Sequence, residues 1–105
     1  MYALIGDIGN TITKVCIIET KTFKIKKMSN FKSNNITSKN FLYNSFKKII
    51  KKKSIYKVAL FSSVVPQHQF FLKKFLKKIY KINLREIKEK GINKIVKINI
   101  KNKKQ

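Results

Sequence analysis

Ile5-Gly6-Asp7-Ile8-Gly9-Asn10-Thr11-Ile12-Thr13-Lys14 is the stretch on which the reading of this 105-residue chain turns. An apolar run reaches the pair Gly9-Asn10, a turn sequence able to take positive φ. A second apolar run begins at once, so the pattern predicts two antiparallel strands and a tight corner. That corner gathers a carboxylate (Asp7), two hydroxyls (Thr11, Thr13), an ammonium (Lys14) and bare glycine backbone. A phosphate with its Mg²⁺ needs that mixture. Glycine lets backbone N–H groups approach phosphate oxygens, the carboxylate holds the metal or its water shell, and lysine acts as a point charge. The same residues also make an ordinary surface hairpin with a solvated aspartate, and spacing alone does not separate the two readings.

Outward from this corner, periodicity predicts strands over residues 2–7, 11–19 and 23–27, forming an antiparallel meander. Residues 29–37, rich in Asn and Ser, read as a polar linker. Ser38 is placed to N-cap a helix running to about residue 52, with Phe41, Leu42, Phe46, Ile49 and Ile50 as its apolar stripe. Residues 56–62 form a fourth strand, and Val58-Ala59-Leu60-Phe61 has the continuous apolarity of a strand covered on both faces. Pro66 suits the first turn of a second helix, whose buried face would be Phe70, Phe71, Phe75, Leu76, Ile79 and Tyr80. A short strand over residues 82–87, a weaker apolar segment over 92–100 and a polar tail complete the chain. The order β-β-β-α-β-α-β predicts an α/β fold, with a three-strand meander and then αβ units in a mixed sheet. Ligands in such sheets gather at the carboxyl ends of strands, where Asp7 and the pair Ser62-Ser63 are both expected to lie.

Composition bounds the rest. Hydrophobic content of 43% is that of a folded chain, and 26 basic residues against four acids give a formal charge of +22. Specific nucleic-acid recognition is nevertheless not expected. Arg85 is the only arginine, lysine lacks the planar fork that reads guanine, and the lysines are spread along the chain. Lys, Ile, Asn, Phe and Tyr are abundant together, the residues of A+T-rich codons. Cys16 is the only cysteine, which excludes an intrachain disulfide, fits a reducing cytoplasm and reads as a small core residue. No apolar run is long enough to span a membrane. His68 has no second ligand near it in sequence and reads as a solvated first-turn residue. No Ser or Cys carries a paired base.

Asp-x-Gly-Asn-Thr-x-x-Lys after an N-terminal strand resembles the first phosphate motif of the superfamily of sugar kinases, heat-shock ATPases and actin. The asparagine after the glycine is similar to that of the type III pantothenate kinases. Phe61-Ser62-Ser63-Val64-Val65-Pro66 resembles the same family's Ser-Ser-Val-Val-Pro segment. The resemblance implies a ribonuclease H-like half-domain over residues 1–105 and an ATP-dependent phosphorylation of pantothenate, toward coenzyme A. It also implies Mg²⁺, a monovalent cation (K⁺ or NH₄⁺) and a homodimer of the full-length enzyme. By the same resemblance Asp7 holds Mg²⁺ directly or through water, Gly9, Asn10 and Thr11 cradle the ATP phosphates, and Lys14 is their cationic partner. Ser62 and Ser63 would hydrogen-bond substrate or cap the following helix; Val64 and Val65 would line a pantothenate pocket or only shape the turn. The family's catalytic carboxylate lies in a Gly-x-Asp-Arg motif that this sequence lacks. The chain therefore reads as the N-terminal portion of a two-domain kinase, with its base beyond residue 105 and no turnover of its own. Two other classes stay open at this point: a small basic polyanion-binding protein, and a ribonuclease H-like nuclease with one well-placed carboxylate.

Overall fold

The computed structural model describes residues 1–50 and 54–87. Leu4, Ile5 and Ile8 alternate across β1 (Tyr2–Ile8), which pairs antiparallel with β2 (Ile12–Glu19) in the register Asp7↔Lys14 and Ile8↔Thr13. β3 (Ile25–Lys32) pairs antiparallel with β2. A single 3₁₀ turn (Ser33–Thr37) then leads into α1 (Lys39–Ile49). β4 (Val58–Ser63) and β5 (Asn83–Glu86) flank α2 (Pro66–Tyr80) and add to the sheet in parallel. The sheet order is β3-β2-β1-β4-β5. This is the ribonuclease H-like arrangement: β1 sits centrally between an antiparallel meander and parallel αβ units.

Leu4, Ile8, Val15, Ile17, Phe31, Phe61 and Leu84 face the helices and meet Leu42, Phe46, Leu72, Phe75 and Leu76 in one core. Fully burying such a side chain contributes ~1.5–3 kcal/mol. Ile5, Cys16, Ile18 and Ile25 alternate to the opposite face and form a second apolar cluster with Ala3 and Leu60.

Several expectations change. The third strand runs over Ile25–Lys32 instead of 23–27, so half of the expected linker is strand and the rest a 3₁₀ turn. Phe23 belongs to the preceding turn, at a left-handed φ of 56°. The pairing of β2 and β3 shifts register at Ile17/Ile18, an irregularity that inserts one residue. Ile25 and Phe31, both odd-numbered, therefore end on opposite faces, and the period-two signal is lost. α1 keeps its Ser38 cap, with Phe41 N–H donating to Ser38 Oγ at 3.2 Å, but ends at Ile49. On α2 the sheet-facing side is Leu72, Phe75 and Leu76, while Phe70, Phe71 and Ile79 are exposed. Six apolar positions span a wider arc than the contact with the sheet can cover. The segment over 92–100, the tail and the helix end at 52 lie outside the described residues.

Candidate functional site

β1 carries Asp7 at its carboxyl end, in register with Lys14 on one side and Ser62 on the other. Ser62 is buried and donates its Oγ hydrogen to Asp7 Oδ1 at 2.7 Å. Asp7 Oδ2 has no hydrogen-bond partner among the described residues. Lys14 is exposed and forms no ion pair with Asp7 among those residues, although the two stand in register. Asp7 and Ser62 thus converge as expected. Ser63 does not join them, because strand alternation turns it to the helix face with Ile8 and Phe61.

Ser63 instead closes its own turn: its Oγ donates to Val65 O at 3.0 Å and accepts from Val65 N–H at 3.1 Å. Neither serine caps α2. Val65 holds the N-cap position without a side-chain bond, and Pro66 opens the helix as expected. Val64 is exposed, and its N–H donates to Ile8 O at 3.1 Å, fastening this turn beside the β1 corner. His68 departs from its expected solvation. It is half-buried, and Nδ1 is buried without a partner among the described residues.

The β1–β2 connection is a three-residue loop, Gly9 to Thr11, closed by Gly9 N–H donating to Ile12 O at 3.1 Å. β2 starts at Ile12, one residue later than expected. Neither Gly6 nor Gly9 takes positive φ. Glycine is required for space instead. A Cβ on Gly9 would stand 2.8 Å from Ile12 O, and one on Gly6 would stand 2.6 Å from Lys14 O and collide with the Phe61 ring. Beneath the loop are two fully buried hydroxyls, Thr13 and Ser33. Ser33 was not legible as a site residue. It lies in a run of Asn, Ser and Lys, and its place under the loop depends on the pairing of β3.

The other described acids lie elsewhere. Glu19 ends β2, where the Lys21 N–H of the following turn holds its carboxyl below the usual range, and Glu86 ends β5. No three His, Cys, Asp or Glu side chains among the described residues gather to hold a metal. Any cation at Asp7 would take most of its ligands from water and from what it binds. Mg²⁺ behaves this way, with one or two carboxylates and substrate phosphates. A groove of about 990 Å³ between α1 and α2, lined by Tyr43, Phe70, Phe71 and Ile79, lies in the helix layer and includes none of these groups.

Strand order and the acid–hydroxyl pair define the class: an α/β domain of ribonuclease H-like topology with its polar site at the carboxyl edge of adjacent parallel strands. The sequence profile of type III pantothenate kinases matches residues 3–105, and the chain belongs to that family. It is 38% identical over 102 residues to a type III pantothenate kinase of Pelagibacter ubique (strain HTCC1062), covering 92% of this chain and 38% of that protein. The chain thus spans well under half the length of that relative. Among solved structures it is similar to the Aquifex aeolicus member of the Ppx/GppA family, with a TM-score of 0.44 and 13% identity. That match covers 83% of this chain and 35% of the other.

Proposed function

We propose that this chain supplies the ATP-phosphate side of a type III pantothenate kinase site, in which ATP phosphorylates pantothenate to 4'-phosphopantothenate for coenzyme A synthesis. The observation that carries the reading is the pair Asp7–Ser62: a carboxylate with one oxygen held by a buried hydroxyl and the other unengaged. Its all-oxygen character fits a hard cation, and Asp7 would hold Mg²⁺ directly or through water. When bound, that ion neutralises phosphate charge during transfer. Asn10 and Thr11 border the phosphates with backbone amides, Gly9, whose own N–H is held by Ile12 O, shapes the corner, and Lys14, exposed on the same edge, adds positive charge.

Ser62 is better read as the residue that orients Asp7 than as a substrate ligand. Ser63 is spent on its own turn, whereas Val64 and Val65 stay available to shape a pantothenate pocket. No residue of this chain is assigned as the base for the pantothenate hydroxyl, or as a ligand of the monovalent cation. Dimerisation and cytoplasmic residence belong to the same proposal; the described helices include none long and apolar enough to cross a membrane.

The test is a titration of the ¹⁵N-labelled chain with MgATP, with ATP in EDTA as control. Shifts at Asn10, Thr11 and Lys14 that require Mg²⁺ and vanish in Asp7→Asn support the proposal. Equal binding by Asp7→Asn, or none by the wild type, overturns it.

A further inference from the structure

We infer that Ser33 is a positioning residue for the phosphate loop, an inference that rests on the proposed role of that loop. Ser33 is fully buried, 24 residues beyond Gly9 in sequence, and binds the loop at two points. Its Oγ donates to Gly9 O at 2.7 Å, and its N–H donates to Thr11 O at 2.8 Å. A serine hydroxyl has one hydrogen. With that hydrogen on Gly9 O, the 2.8 Å contact between Thr13 Oγ1 and Ser33 Oγ must be a donation from Thr13. The chain of donors is therefore directional, Thr13 to Ser33 to Gly9.

Its consequence follows from peptide planarity. The described chain has no cis peptide bond, so each carbonyl points opposite to the N–H of the next residue. Drawing Gly9 O and Thr11 O inward to Ser33 turns the Asn10 and Ile12 N–H groups away from it. Of the amides so turned, that of Asn10 has no partner among the described residues, and Asn10 is exposed; the neighbouring Thr11 N–H, in a peptide that Ser33 does not touch, is also without one. Ser33 thus removes two repelling carbonyl dipoles from the ligand side and presents amide hydrogen there, the polarity an anion requires. Without it, the loop could rotate a peptide and offer a carbonyl instead.

The experiment is MgATP titration of the ¹⁵N-labelled 105-residue chain, following the Asn10 and Thr11 amides, with thermal unfolding measured in parallel. Ser33→Ala is expected to bind about tenfold more weakly, with altered Asn10 and Thr11 shifts in the free protein. Thr13→Val, which keeps shape but releases the Ser33 hydroxyl, should lose about threefold. Ser33→Thr should bind within about twofold of wild type. A purely structural Ser33 would lower the unfolding temperature and leave affinity unchanged, and that result overturns the inference. Should Ser33→Ala fail to fold, Thr13→Val decides, and wild-type affinity in that variant overturns it. Absence of any MgATP-dependent shift in the wild type removes the parent proposal and this inference together. Wild-type binding with insensitive variants removes the inference alone.

Discussion

Ser62 donates a 2.7 Å hydrogen bond to Asp7 across two neighbouring parallel strands, joining residues 55 positions apart. The bond uses one carboxylate oxygen, and the other has no hydrogen-bond partner among the described residues. It fixes the Asp7 rotamer through a residue that is itself buried and cannot drift. Ser62→Ala should therefore reduce stability by about 1 kcal/mol, the usual worth of such a bond. It should also weaken Mg²⁺-dependent nucleotide binding, and Ser62→Thr should recover both. Urea unfolding and the MgATP titration read the two effects separately.

Gly6 stands where β1 passes between the Lys14 carbonyl and the Phe61 ring. Gly6→Ala should cost about 3 kcal/mol or more, since overpacking a strand centre forces backbone as well as side chain to move. Adding Phe61→Leu relieves the ring but not the carbonyl, so the double variant should recover only part of the loss. Urea midpoints of the two variants settle this.

Cys16 is buried in the second apolar cluster, and burial pushes its thiol pKa up while Lys14 pulls weakly the other way. The folded state therefore keeps the proton more tightly than the unfolded chain. Stability from this group is intact below the ordinary thiol pKa of about 8.5 and is lost as pH rises through the folded value. Urea stability should fall as pH rises above about 8.5, and less steeply in Cys16→Ala. An identical slope in that variant would assign the fall to other groups.

The 105-residue chain alone should release no ADP in a pantothenate-dependent manner. Its sequence contains no Gly-x-Asp-Arg, and no metal-holding cluster joins Asp7 among the described residues. Phosphoryl transfer needs phosphates, metal and nucleophile positioned together. A coupled assay that records sustained turnover by purified protein would show that the residues here suffice.

Much of this architecture was legible because it rests on local chemistry. The runs flanking Gly9-Asn10, the Ser38 cap and Pro66 at the start of α2 each carry their own signal, and all three appear in place. β3 was misplaced because its inward positions are broken by a register shift, which no periodicity can anticipate. The outer face of α2 was misread because Phe70 and Phe71 are apolar yet exposed, and helical spacing does not say how wide the covering sheet will be.

The sequence by itself carried the family resemblance, the strand–corner–strand unit and the carboxylate Asp7 beside its corner, since these depend on residues close together in the chain. Only the tertiary structure decided which partners that corner has. Ser62 reaches Asp7 because β4 lies parallel to β1, Ser63 is turned away by the same pleat, and Ser33 arrives beneath Gly9 at the end of a strand that looked like a linker. Hydrogen bonds act over about 3 Å regardless of separation along the chain, so the groups that orient the site become visible only once the sheet has brought them together.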